Sequence, residues 1–171
     1  MLKKRIVSAS ICIIFALFVS ECFAIDKLPS ARSGEIVCIG GDSADSSHKM
    51  VTNFAFRNVD PVHAISFTKI RLYTESGVLV ASLLPPNFPS SFKETIGPSS
   101  MAVVGSTDLL NGAAGGRLTL KINFAATDGA LALAPHGLSG LIDTATDGTL
   151  LSRDTVECAY TVISAKALQI P

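Results

Sequence analysis

The chain is short of aromatic and charged side chains. It has no tryptophan and only two tyrosines, and charged residues make up 16% of its 171 positions. Platforms that stack sugars use exposed tryptophan and tyrosine rings, so this shortage argues against a carbohydrate-binding platform. Beyond residue 5 the basic residues occur singly and the formal net charge is 0, which argues against a nucleic-acid-binding protein.

Long apolar runs are also scarce, and one stands out at the start of the chain. Basic residues at 3–5 precede an uncharged apolar run over residues 6–19. This is the pattern of a secretory signal peptide over residues 1–24, with cleavage after Ala24. An uncleaved anchor is an alternative, but a membrane span needs about 20 apolar residues. A lipoprotein modified at Cys22 is another, although an acidic residue stands directly before that cysteine.

Export places the mature chain in the periplasm or outside the cell, and a short signal led by lysine is typical of bacteria. Cleavage removes three basic residues and one acidic residue, which leaves 11 basic and 13 acidic residues. The mature chain of 147 residues has the length of a single domain, which is predicted over residues 34–164. A flexible lead-in is predicted over residues 25–33 and a tail over residues 165–171.

Cysteine is rare, and the predicted cleavage halves its number. Cys12 and Cys22 lie in the signal peptide, whereas Cys38 and Cys158 lie near opposite ends of the mature chain. In an oxidising compartment these two are expected to form a disulfide bond that closes a loop of about 120 residues. Loop closure of that length stabilises the folded state by at most about 5 kcal/mol.

Short runs with β-strand character alternate with turn residues through most of the mature chain. The clearest strand covers residues 117–124, where apolar and polar side chains alternate, and residues 50–57 show the same pattern. A change of phase within residues 65–74 indicates a β-bulge near Thr68 and Lys69. A last strand is predicted over residues 155–163. The inward-facing apolar residues of the clearest strand are Leu118, Leu120, Ile122 and Phe124.

This pattern predicts an all-β fold after an N-terminal signal helix. Because no long 3.6-residue periodicity appears, we expect an antiparallel β-sandwich of about seven to nine short strands, immunoglobulin-like in its arrangement.

Three segments carry a family resemblance. Phe56-Arg57-Asn58-Val59-Asp60, the strand over residues 65–73, and Ser76-Gly77-Val78-Leu79-Val80 resemble a pattern of uncharacterised periplasmic bacterial proteins of immunoglobulin-like fold. The chain lacks the late tryptophan of that pattern. The resemblance implies a β-sandwich and implies no activity. The same alternation also fits a fibronectin-type module.

An enzyme with a nucleophilic serine is the alternative functional class. Ser90 and Lys93 form the S-x-x-K pattern of β-lactamases, in which a helix brings the lysine beside the serine. Prolines precede it and Gly97 and Pro98 follow, so no adequate helix is expected. Residues 136–140 contain only half of a hydrolase elbow. A small exported serine hydrolase would be centred on Ser90, Ser139 or His136.

Metal and cofactor sites are not expected. His48, His63 and His136 are isolated from one another, without the spacing that places two ligands on one face. Asp42 and Asp45 lack the further acidic residues and the closing glutamate of a calcium loop. We therefore predict no metal ion and no cofactor.

The sequence favours a non-enzymatic exported protein that acts as a binding, adaptor or structural domain. It is expected to be a monomer with an unknown protein or envelope partner, and to bind neither nucleic acid nor, after signal cleavage, a membrane. Loops on rigid sandwiches carry recognition, so loop 40–48 and the proline-rich connection 84–91 are the candidate surfaces. A pilus-type subunit assembled by strand donation is the third hypothesis. The candidate recognition residues are Asp42, Asp45, His48, Pro85, Pro86 and Phe88.

Overall fold

The fold is seen in a computed structural model that describes residues 31–110, 116–129, 131 and 133–165. The predicted signal peptide and most of the predicted tail lie outside these residues. The described chain is all-β, with ten strands, one 3₁₀ turn at Pro85–Asn87 and one helical turn, α1, at Ser106–Leu109. The strands are β1 (Ala31–Ala44), β2 (His48–Arg57), β3 (Ile65–Thr74), β4 (Leu79–Leu83), β5 (Thr95–Ile96), β6 (Met101–Gly105), β7 (Gly116–Ala126), β8 (His136–Ala145), β9 (Leu150–Glu157) and β10 (Ala159–Ala165).

All of the strand pairs are antiparallel, and they form two halves of one continuous sheet. Sheet A has the order β4–β3–β7–β1–β10, with β5 also paired to β3. Sheet B has the order β6–β2–β8–β9. Strand β1 joins the halves, because it pairs with β7 as far as Asp42 and then with β2 through Ser43 and Ala44. The two halves pack face to face, which gives a sandwich-like arrangement.

The core lies between the two halves and is filled by aliphatic and phenylalanine side chains. The ring of Phe56 from sheet B lies 5.6 Å from that of Phe67 in sheet A. Phe92 contacts both, with ring centroids at 6.3 and 5.2 Å, and Phe88 closes the cluster against Phe92 at 5.6 Å. The inward set predicted for β7 is buried as expected, and its members are Leu118, Leu120, Ile122 and Phe124.

The predicted bulge in β3 is present. The pairing with β7 skips Thr68, so that Phe67 lies opposite Phe124 and Lys69 lies opposite Asn123. Side chains alternate between the two sides of a strand, so one extra residue shifts by one the sequence positions that face the core. As a result Ile65 and Phe67 before the skip, and the apolar residues after it, all face the core.

Two sequence predictions are wrong about where strands begin and end. The segment 40–48 was expected to be a loop, but β1 continues to Ala44 and only residues 45–47 turn. A single last strand over 155–163 is instead two strands, β9 and β10, which meet at Cys158 and belong to different halves. This division, together with a strand at His136–Ala145, raises the number of strands to ten.

The stretch between β4 and β5 is largely irregular. Within the proline-rich connection 84–91, Pro85–Asn87 forms a 3₁₀ turn. Strand β5 covers only Thr95–Ile96, because Phe92 turns into the core and its amide donates to the carbonyl of Pro89 at 2.8 Å.

Candidate functional site

The predicted disulfide bond is present at the corner where the chain passes from sheet B to sheet A. Cys38 of β1 and Cys158, between β9 and β10, have Cα atoms 4.5 Å apart. The amide of Cys158 donates to the carbonyl of Gly137 at 2.9 Å. A Cβ atom at Gly137 would lie 2.8 Å from Cγ2 of Ile36 and 2.9 Å from Cβ of Cys158, so only glycine fits there. The corner is a structural joint.

A second joint consists of buried polar groups where β1 bends. The Thr52 hydroxyl accepts from the Gly41 amide at 2.7 Å and donates to its carbonyl at 2.8 Å. The Ser106 hydroxyl donates to the Asp42 carboxylate at 2.6 Å and accepts from the Thr52 amide at 3.1 Å. These bonds compensate the burial of polar groups, which explains why the glycine-rich segment at 40–44 is strand rather than loop.

The histidines also have local structural partners. His63 lies beside the buried Asp60, whose carboxylate accepts from the His63 amide at 2.7 Å and from the Val62 amide at 2.8 Å. His136 lies 3.6 Å from the exposed carboxylate of Glu157. Nowhere in the described part of the chain do three His, Cys, Asp or Glu side chains gather closely enough to hold a metal ion.

No hydrogen bond between described residues joins a candidate nucleophilic serine, Ser90 or Ser139, to a basic side chain. Ser139 is 2% exposed, and its hydroxyl donates to the backbone carbonyl of Ile39. Ser90 and Lys93 are both exposed, on the irregular stretch that follows the 3₁₀ turn. A nucleophile needs a base within hydrogen-bond reach, and the described contacts of Ser139 supply none.

Only a short turn remains of the first predicted recognition loop, 40–48. Asp42 lies on β1 and faces the interior, where it is 5% exposed. Asp45 closes the β1–β2 turn. The backbone N–H of Ser47, followed by that of His48, donates to its carboxylate and holds the pKa of Asp45 below its usual value. Asp45 and His48 therefore stay exposed candidates for recognition.

In the second predicted loop, the proline connection has one buried anchor. Pro85 is half-buried and Pro86 is exposed within the 3₁₀ turn, while the half-buried Phe88 packs its ring on the core. Recognition by Pro85, Pro86 and Phe88 stays a prediction, although the ring of Phe88 also has a packing role.

The outer face of sheet B carries an apolar patch, which sequence reasoning missed. Val51 of β2 lies opposite Ile142 of β8, and Ala55 lies opposite both Leu138 and Val103. Solvent-facing sides of antiparallel sheets ordinarily carry polar residues. Here apolar side chains adjoin across β2, β6 and β8 among polar neighbours such as Lys49, Asn53 and Arg57, with Val103 at 40% and the neighbouring Met101 at 55% exposure. We call this surface the apolar face; its residues are Val51, Ala55, Met101, Val103, Leu138 and Ile142.

The outer face of sheet A is polar along β3 and β7. Arg71 of β3 lies opposite Lys121 of β7, and the Glu35 carboxylate of the neighbouring strand β1 pairs with the Arg71 guanidinium and lies 4.0 Å from Nζ of Lys121. Arg71 also donates to the Asn123 side chain at 3.1 Å. The Lys121 ammonium lies 5.7 Å from the ring centroid of Tyr73, within cation–π range. We call this surface the cationic face; its charged residues are Glu35, Lys69, Arg71, Arg117 and Lys121.

Both faces were missed for the same reason. The residues of each face are separated in sequence, and they meet only once strand register is known. The available signal was side-chain alternation, because Lys69 and Arg71 are two positions apart and Arg117 and Lys121 are four apart, so each pair lies on one side of its strand.

Comparisons with protein-family models, with curated proteins and with solved structures find no match for this chain. Within the described residues, no helix has the length and apolar character that a membrane span requires.

Proposed function

We propose that this protein is exported, acts without catalysis, and is a binding module that docks a protein partner on the apolar face of sheet B. The observation that carries the proposal is a patch on that face where apolar side chains of β2, β6 and β8 adjoin one another across the strands. Contiguous exposed apolar surface marks sites of protein–protein contact.

Export is supported by the Cys38–Cys158 bond, because disulfides persist in oxidising compartments. The signal peptide over residues 1–24 is part of this proposal. Its direct test is the mass of the mature protein, which should begin at residue 25. A mature chain that begins elsewhere, or free thiols in the purified protein, would contradict the export assignment.

An immunoglobulin-like arrangement is part of the proposal as well. The sandwich-like packing and the pairing of the first and last described strands, β1 and β10, support it. One feature distinguishes this topology from constant-type immunoglobulin domains, in which the first strand lies at a sheet edge, because β1 here has β7 on one side and β10 on the other.

The absence of catalysis can be tested with a broad serine-reactive probe on the folded protein, with a known serine hydrolase labelled in parallel. We expect no labelling, because the Ser139 hydroxyl is buried and bonded to a backbone carbonyl. Covalent labelling of Ser90 or Ser139 would overturn the non-enzymatic assignment.

Binding can be tested by photo-crosslinking in the cell of origin, with a benzophenone amino acid at Val103 and, as the control, at Glu75 in the exposed β3–β4 turn. We expect a discrete crosslinked species from Val103 only, and its loss when Ile142→Glu adds a charge to the apolar face. No adduct at Val103, or the same adduct at both positions, would contradict the proposal.

A further inference from the structure

The charged residues of the sandwich are distributed unevenly between its surfaces. The outer face of sheet A carries four basic residues and one acidic residue, which is a net charge of +3. The other described positions carry five basic and eleven acidic residues, which is a net charge of −6. Counting Glu75, in the turn at the end of β3, with this face still leaves it at +2. A chain with a formal net charge of 0 therefore has one cationic surface.

The cations converge because of strand register. Lys69 and Arg71 occupy alternate positions of β3, and Lys121 lies directly opposite Arg71 on β7. Arg117 is four positions before Lys121, at a distance of about 13 Å along the strand. Like charges directly opposite each other on neighbouring strands repel, so this arrangement is unfavourable without an anion nearby.

The carboxylates of the protein neutralise only part of the positive charge on the cationic face. Glu35 is the single carboxylate of this face, and both Arg71 and Lys121 lie within ion-pair distance of it. None of the ion pairs between described residues involves Lys69 or Arg117. Arg117 is exposed and Lys69 is half-buried, so neither side chain is enclosed by the protein.

We propose that the cationic face of sheet A binds an acidic, extended segment of a partner protein. Alternate side chains of an extended peptide repeat about every 7 Å, which is the spacing of Lys69 and Arg71 along β3, and every second such repeat matches the spacing of Arg117 and Lys121 along β7. An acidic strand laid along these rows places one carboxylate near each cation. The aromatic ring of Tyr73 adds an apolar contact at one end of the face.

The same charge distribution disfavours two larger anions. A DNA duplex or an anionic membrane extends beyond this face and meets the surrounding surface, whose net charge is −6 among described residues. Repulsion there opposes binding, whereas a short acidic segment contacts the cationic face alone. The proposal concerns the opposite side of the molecule from the apolar face, and it stands or falls separately from the docking proposed there.

The experiment measures fluorescence anisotropy of a labelled oligoglutamate peptide of about ten residues with the full mature protein at low salt. The variant pair is Lys69→Glu with Arg117→Glu, which leaves the Glu35–Arg71 pair in place. The matched control is Lys49→Glu with Arg57→Glu, two exposed residues of β2, and it changes the net charge equally.

We expect about a tenfold or larger loss of affinity for the variant pair and less than about a threefold loss for the control. Salt should weaken the wild-type interaction. Equal losses in both pairs would overturn the proposal, because net charge alone would then explain the binding, and so would no binding of the peptide. Tighter binding of a DNA duplex or of anionic vesicles than of oligoglutamate would also overturn it. If the variant pair fails to fold, Lys69→Gln with Arg117→Gln is measured against Lys49→Gln with Arg57→Gln.

Discussion

The two outer faces of this molecule are built from the same kind of antiparallel strand and yet differ in chemistry. On sheet B, Val51, Ala55 and Ile142 place apolar side chains toward solvent. On sheet A, the corresponding outward positions of β3 and β7 carry cations and hydroxyl or amide groups. The inner faces show no such difference, since both are buried and mainly apolar.

This difference shows that packing alone does not explain the surface of the protein. An antiparallel sheet that only covers a core needs apolar residues on one side. The apolar residues on the outer side of sheet B, and the cations gathered on sheet A, are features that the core does not require. They are the basis for assigning two distinct contact surfaces, one for an apolar partner surface and one for an acidic segment.

The largest expected effect concerns the joint that fixes the two faces relative to each other. Replacing both Cys38 and Cys158 with serine should lower the free energy of unfolding by about 2–5 kcal/mol, because the unfolded chain regains the freedom of a long loop. Urea unfolding with and without reductant measures this. Reductant should destabilise the wild type and leave the double variant unchanged. An unchanged midpoint in the double variant would show that the corner does not depend on the bond.

A smaller loss is expected at the glycine that lies against the disulfide. Gly137→Ala should cost about 1–3 kcal/mol, because its Cβ would overlap Ile36 and Cys158. Gly140→Ala on the same strand is the matched control, since its nearest neighbour, a backbone oxygen of Asn53, lies at 3.7 Å. Thermal unfolding compares the two. Equal effects would mean that the close approach at Gly137 does not limit the fold.

A change on the cationic face should separate stability from binding. Glu35→Gln removes the carboxylate shared by Arg71 and Lys121, so the free energy of unfolding should fall by up to about 1 kcal/mol. Affinity for oligoglutamate should rise, because the face becomes more positive. Glu94→Gln, an exposed position outside this face, should change neither quantity. Weaker peptide binding by Glu35→Gln would contradict the account of the cationic face.

The smallest effect on stability is expected on the apolar face. Val103→Thr should change the free energy of unfolding by less than about 0.5 kcal/mol, because the side chain is 40% exposed. It should still reduce the fluorescence of a hydrophobic dye bound to the folded protein. Val37→Thr makes the same substitution on sheet A and should leave the dye signal unchanged. A larger loss from Val37→Thr would reverse the assignment of the two faces.

Sequence reasoning predicted the parts of the fold that depend on local alternation. The inward residues of β7, the skip at Thr68 and the Cys38–Cys158 pair can each be read from spacing or from compartment. These features depend on side chains within one strand or on the two cysteines outside the predicted signal peptide. For that reason they could be predicted before the strand order was known.

The parts that were missed depend on contacts between distant segments. The segment at 40–44 looks like a loop from its glycines, and the bonds that make it a strand come from Thr52 and Ser106. The division at Cys158 follows from β9 and β10 pairing with different neighbours, β8 and β1. The two outer faces were hidden for the same reason, because register decides which alternate positions adjoin.

The central claim is that the two outer faces recognise different chemistry, and amide chemical-shift mapping during titration with oligoglutamate tests it most directly. The account predicts that perturbed amides lie on β3 and β7, around Lys69, Arg71 and Lys121, while those around Val51 and Ile142 on sheet B stay unchanged. Perturbations spread evenly over both halves, or centred on β2 and β8, would contradict it.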